Sequence, residues 1–257
     1  QCEALLLPPM GAIDLSKRQW QWALLLLLAF VWGSSFIMMK KALITFTDFQ
    51  VAGYRMFVAF GVLLPAIVPN LKHLKGKAIW AFMAVGIFGN GVPAFLFATA
   101  QTVVDSALAG MLNSLVPLFT LLLGLTFFKV PLRWLQLAGV SLGLVGALVL
   151  IFTSSGGVNG PGENWMYSLL VIGASFCYAI SVNVIKEYLQ GYSPVAVTGL
   201  ALLFFGPACG IYVFGFTDFT ARLVTPEAWQ HLGYLTVLGV VGTALAVFLF
   251  NQLIRQT

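Results

Sequence analysis

Eight stretches of about twenty residues each run through this sequence almost without charge, and that length is what a helix needs to cross the hydrocarbon of a bilayer. They cover 20–43, 48–69, 77–101, 104–128, 132–152, 165–189, 193–216 and 229–254. Hydrocarbon offers no hydrogen bonds, so a spanning run must satisfy its own backbone, which selects helices over strands. Only 8% of the residues are charged and 60% are hydrophobic. A soluble domain carries roughly a quarter charged residues. Too few charges remain here to coat a water-facing surface, so the expected fold is all-α, a polytopic membrane helical bundle.

The basic residues read as topology signals. A net charge of +5 in a soluble chain would raise nucleic acid as a partner. Here Lys and Arg fall between the apolar runs, so no nucleic-acid role is expected. With the N-terminus in the cytoplasm, the inner side receives Lys17, Arg18, Lys72, Lys75, Lys77, Lys129, Arg133, Lys186 and Arg255. The outer half receives Lys40, Lys41, Arg55 and Arg222, a bias of nine against four. Cys2, Cys177 and Cys209 show no metal or redox spacing. Residues 1–9 precede Met10, a candidate natural start, and the first apolar run has no cleavage site and reads as a retained span.

The chain also resembles itself. Residues 29–48 lie over 175–194 without gaps, pairing Phe30 with Phe176, Trp32 with Tyr178, Ser35 with Ser181 and Lys40 with Lys186. Residues 86–97 lie over 239–250, pairing Gly86 with Gly239, Gly89 with Gly242 and Phe95-Leu96-Phe97 with the same triplet. The unit begins at the first span and begins again at the sixth. It contains five helices, an odd number, so the second copy must enter from the opposite side. That is an inverted repeat, an architecture tied to alternating access. The second copy holds only three of its helices, so eight spans are visible of an expected ten. A truncated chain is expected, short of two helices and roughly fifty residues by this repeat.

Several local patterns resemble one family. They are Ala29-Phe30-Val31-Trp32-Gly33 followed by Phe36 and Lys40, Tyr54-Arg55-Met56-Phe57, Leu115-Val116-Pro117-Leu118-Phe119-Thr120, and Leu137-Ala138-Gly139 with Gly143 and Gly146. In this order and spacing they resemble the EamA-type members of the drug/metabolite transporter superfamily. The resemblance implies two inverted five-helix halves, cytoplasmic termini, and export of small metabolites or drugs. One departure is Lys129-Val130-Pro131-Leu132, where the family usually has a Glu. The implied organisation is a cytoplasmic segment 1–19, a first EamA-like repeat 20–152, a periplasmic linker 153–164 and an incomplete second repeat 165–257.

Polar residues inside spans are the candidate site, because each is costly in lipid unless it faces protein or water. Trp32 and Ser35 lie one turn apart in the first span, and Tyr178 takes the place of Trp32 in the second copy. They form either two walls of a central substrate pocket or ordinary interior packing. Asn90 sits in the break Gly89-Asn90-Gly91-Val92-Pro93, which either frees carbonyls for a ligand or is a kink with close helix packing. Its counterpart has Ala246 opposite Pro93. Asn113, Ser114, Asn183 and Asn251 are pocket donors or interhelical bonds. Lys40 and Lys41 are expected to snorkel to the headgroups. Arg55 lies deeper, as a partner for Asp48 or Asp105, or as a gate or anion site.

No Asp or Glu falls mid-span, so the usual carboxylate relay of proton-coupled carriers is not visible. His73 and His231 lie at span edges, with no metalloenzyme pattern, so no catalytic residue, metal or cofactor is expected. The sequence reads as a secondary transporter exporting a small metabolite or drug-like solute across the bacterial inner membrane, with the solute and the lipid bilayer as its partners. The competing readings are a non-transporting interaction or sensor subunit and, behind it, a membrane-embedded enzyme.

Overall fold

The computed structural model describes residues 17–127 and 165–254, with scattered positions from 134 to 149. The expected fifth span, the linker 153–164 and the segment 1–16 lie outside the described residues, apart from those scattered positions. Among the described residues there is helix and no strand. Seven of the eight expected spans are present as helices of membrane length, at 18–42, 48–73, 78–103, 106–127, 165–188, 194–216 and 226–254.

Only the first, second and sixth spans are unbroken α-helix. They are α1 (Arg18–Ala42), α2 (Asp48–Asn70, extended by a 3₁₀ turn) and α7 (Trp165–Tyr188). The start of α2 is fixed by a capping box, in which Thr47 and Gln50 exchange side-chain bonds with each other's backbone. The third span is α3 (Ala78–Gly86), a π segment (Ile87–Gly91) and α4 (Val92–Val103). The fourth divides into α5 (Ser106–Asn113) and α6 (Val116–Phe127), and the seventh into α8 (Pro194–Leu203) and α9 (Gly206–Phe216). Pro117 and Pro207 sit in the first turn after each of these breaks, where a missing N–H is harmless. The last span is α10 (Pro226–Gly239), a second π segment (Val240–Leu245) and α11 (Ala246–Ile254).

The two π segments occupy matching places in the repeat, so the break expected at Gly89–Pro93 has a counterpart in the last span. Ala246 stands where Pro93 does, yet the π segment still forms. In both, a polar side chain reaches back five residues. Asn90 donates to the Val85 carbonyl at 3.4 Å, and Thr243, its counterpart, donates to the Leu238 carbonyl at 3.1 Å. The carbonyls left by the wider turn are thus partly satisfied from within.

Helix directions follow from which residues meet. A methyl on Gly53 would strike Val213, and one on Gly199 would strike Ile67, so α2 runs against α8–α9. Gly89 faces Ser181 and Gly173 faces Leu96, so the third span runs against α7. Lys40 at the end of α1 bonds the Gln101 carbonyl at the end of α4, so the first and third spans end on one side. The first span and its counterpart α7 therefore point in opposite senses.

The contacts repeat with the sequence. A Cβ on Gly86 would lie 2.5 Å from the Ala201 carbonyl oxygen, and one on Gly239 would lie 3.2 Å from that of Arg55. The spacing that pairs Trp32 with Tyr178 also pairs Arg55 with Ala201. Gly89 abuts Ser181 as Gly242 abuts Ser35. Each glycine lets a helix approach its neighbour's backbone or hydroxyl directly, the packing that works where lipid removes the hydrophobic drive between helices.

Lys40 differs from expectation. Its ammonium donates to the carbonyls of Gln101 (2.7 Å) and Val104 (3.3 Å), closing the C-terminal end of the third span instead of snorkelling to headgroups. On that side Asp218 accepts from Gln50 at 2.7 Å and pairs with Arg222 at 3.0 Å, and these bonds hold its carboxyl below the usual carboxylate range. Arg222 also donates to the Thr45 carbonyl at 2.9 Å, tying the 43–47 loop to the 217–225 loop.

Two alanine substitutions should act in opposite directions. Gly86→Ala, meeting backbone at Ala201, should destabilise by about 1–3 kcal/mol. Gly61→Ala, with nothing within 4 Å, should be neutral or stabilise by up to about 1 kcal/mol. Thermal unfolding of the two variants in one detergent checks the sign of each.

Candidate functional site

Where the oppositely directed segments meet, a cavity of about 500 Å³ opens between them. Of the polar and aromatic residues singled out from the sequence, Trp32, Ser35, Arg55, Asn90, Asn113, Ser114, Tyr178 and Asn251 line it, and Asn183 does not. They come from the first, second, third, fourth, sixth and last spans. Thr198 adds the seventh. A run of apolar residues interrupted by one polar side chain carries its own clue, because the polar group must find an interior to face.

The aromatic residues form walls. Trp32 donates its indole N–H to the Gly242 carbonyl at 3.2 Å and packs edge-on against Phe250, with ring centres 5.2 Å apart. That acceptor sits inside the second π segment. Tyr178 stacks near Phe97 at 6.0 Å, and Phe97 in turn lies 5.5 Å from Phe36. Ser35 turns its hydroxyl back to the Val31 carbonyl at 2.6 Å, leaving lone pairs toward the space.

Arg55 is buried, and neither expected acidic partner reaches it. Its Nε donates to Thr243 Oγ1 at 2.6 Å, and Tyr178 lines the same cavity beside the guanidinium. Asp48 instead accepts from Thr99 at 2.6 Å, and Asp105 precedes α5 without capping it. Thr243 accepts from Arg55 and donates to the Leu238 carbonyl.

The asparagines divide. Asn251 donates to Thr198 Oγ1 at 2.8 Å, a bond between the last and seventh spans. Asn183, outside the cavity lining, donates to the carbonyls of Thr120 and Ala179 and serves as an interhelical tie. Asn90 satisfies its own π segment. Asn113 has a buried Oδ1 with no partner among the described residues.

Thr243, Ser181 and Thr198 also line the cavity, and sequence reasoning passed over them as site residues. Thr243 was findable, since the repeat places it opposite Asn90. Thr198 had no such signal, being a hydroxyl inside an apolar run. On the side of the 43–47 loop the spans are closed by a cluster of rings, with Phe46 and Tyr54 stacked on Phe219 at 4.7 and 5.0 Å. Among the described residues no group of three or more His, Cys, Asp or Glu is placed to hold a metal.

Fold and cavity together define a multi-pass helical membrane protein with repeated, oppositely directed segments around a central cavity, its apolar walls set with a few polar side chains. The sequence matches the EamA-like transporter family over residues 19–152 and 165–257, most of its length, and the chain belongs to that family. It is 25% identical to a transporter of Archaeoglobus fulgidus described as uncharacterized, over 71% of this chain and 63% of that protein. It is 25% identical to the Escherichia coli inner membrane transporter YedA, likewise described as uncharacterized, over 88% of this chain and 71% of that one. It is 30% identical to an Escherichia coli protein named "Probable amino-acid metabolite efflux pump", over 66% of this chain and 54% of that protein. The chain thus spans a little over half to about 70% of these relatives. A crystal structure of a protein 16% identical shares the fold, with a TM-score of 0.63 over 93% of this chain and 80% of that one.

Thr243→Val removes the hydroxyl that accepts from the buried guanidinium. It should cost about 1–3 kcal/mol, the loss expected when a buried charged donor is left unpaired. Thr102→Val, which removes an exposed hydroxyl bonded to Thr99, should cost far less. Chemical unfolding in mixed micelles compares the two.

Proposed function

We propose that this protein is a secondary carrier that moves a small metabolite-type solute across the bilayer by alternating access, with the solute held in the central cavity. The observation that carries this reading is the cavity's position. It lies at the meeting of two repeat-related segments that run in opposite senses, and repeat-related side chains, Trp32 and Tyr178, both line it. Equivalent packing arranged in opposite directions gives two nearly equal ways of closing the bundle, one toward each face. The solute would lie between the aromatic walls, with Ser35, Asn90, Asn113 and Asn251 as polar anchors and Arg55 at the charged end.

Export is the direction favoured, since an Escherichia coli relative is named as an efflux pump. Residence in a bacterial inner membrane is favoured by the YedA relative. The Lys and Arg bias favours a cytoplasmic N-terminus. Among the described residues the cavity lining holds no carboxylate, and coupling to protons through a lining acid is not part of this reading.

The test is solute flux with the full-length protein in liposomes, screened against amino-acid-like and other small metabolites. Trp32→Ala and Tyr178→Ala should each lower flux by about tenfold or more, the effect of losing a main wall contact of roughly 1.4 kcal/mol. Flux unchanged by both substitutions would remove the cavity from the transport path. Solute binding without any flux would favour a sensor or interaction subunit.

A further inference from the structure

We infer that the cavity recognises a solute bearing a carboxylate on an apolar, ring-sized body, with Arg55 as the group that holds the carboxylate; this rests on the cavity being the solute site proposed above. Among the described residues Arg55 is the one formally charged residue in the lining, and it is 8% exposed. A guanidinium does not give up its proton in a protein, so the charge stays. A buried charge needs a partner, and no carboxylate among the described residues comes within ion-pair distance of this one. Asp48 is engaged with Thr99 and Asp218 with Arg222 and Gln50.

The neutral partner in place orients the group without neutralising it. Thr243 takes the Nε proton, which leaves the two terminal nitrogens as the remaining donors. Those two form the end-on fork that matches the two oxygens of a carboxylate. Tyr178, in the same lining, has a hydroxyl that can donate its own proton to the anion.

The rest of the lining supplies the other half of the ligand. Phe36, Phe97, Trp32 and Phe250 are the apolar walls, and about 500 Å³ suits a small ringed acid. The repeat makes the charge one-sided, because Ala201 stands where Arg55 does in the other half. A single cationic end facing apolar walls orders an amphipathic anion in one direction. Asn113 Oδ1, buried and without a partner among the described residues, is an acceptor for a donor on the ligand.

The test compares 3-phenylpropionate with its neutral amide, 3-phenylpropionamide, by calorimetric titration of the purified full-length protein in detergent. The acid should bind about tenfold or more tightly than the amide. Arg55→Gln should abolish that difference, weakening the acid by about tenfold more than the amide, and Arg55→Lys should retain part of it. An amide that binds as well as the acid would overturn the inference, as would a difference that survives Arg55→Gln. So would no binding of the acid at millimolar concentration, or sodium phosphate or chloride binding as tightly as the acid. If Arg55→Gln does not fold, the comparison of acid and amide on the unaltered protein still decides. An acid that binds but never crosses liposomes would leave this inference standing and remove the transport reading. Neutral-solute flux that survives Arg55→Gln, with no preference for the acid, would do the reverse.

Discussion

Direct contact between helix backbones at glycine is the constraint on which the structure depends. In lipid, apolar side chains gain little by leaving the membrane for one another, so association rests on close fit and on hydrogen bonds between helices. Gly86 and Gly89 bring the third span onto Ala201 and Ser181, and Gly239 and Gly242 bring the last span onto Arg55 and Ser35. These two contacts of the same kind, one in each half, hold the oppositely directed segments together. The cavity lies beside them.

The π segments turn that packing into a site. A wider turn places Gly242 where its carbonyl can accept from Trp32, and places Thr243 where its hydroxyl can accept from Arg55. The same turn in the third span carries Asn90 into the cavity lining. Both segments begin immediately after a packing glycine, Gly86 or Gly239. Helix approach and helix irregularity are thus set within one short motif, used twice. The symmetry is broken where chemistry would need it broken: Arg55 against Ala201, Asn90 against Thr243, and Trp32 against Tyr178.

Much of this could be read from the residues alone. Apolar runs of membrane length mark seven spans that the structure describes, to within four residues at their starts and ends, because hydrophobic length in a bilayer leaves little freedom. The site residues were legible for a related reason, since a polar group in an apolar run has few places to point. What the sequence hid was partnership. Proline at position 93 drew the eye to a kink, while the shared glycine and the side chain reaching back five residues were what the two breaks had in common. Arg55 was matched to the nearest acids along the chain, whereas its partner Thr243 comes from 188 positions further on, brought near by helix packing. Lys40 looked like a headgroup anchor because a basic residue at a span end usually is one.

The account stands on a cavity, between oppositely threaded segments, that water reaches from each face of the membrane in turn. Val247 lines that cavity, so Val247→Cys, with Cys2, Cys177 and Cys209 replaced by serine, gives a single reporter thiol. A membrane-impermeant maleimide applied to one face of sealed vesicles, and separately to the other, should label it from both. Labelling from neither face, or from one face alone whatever solute is present, would contradict the account.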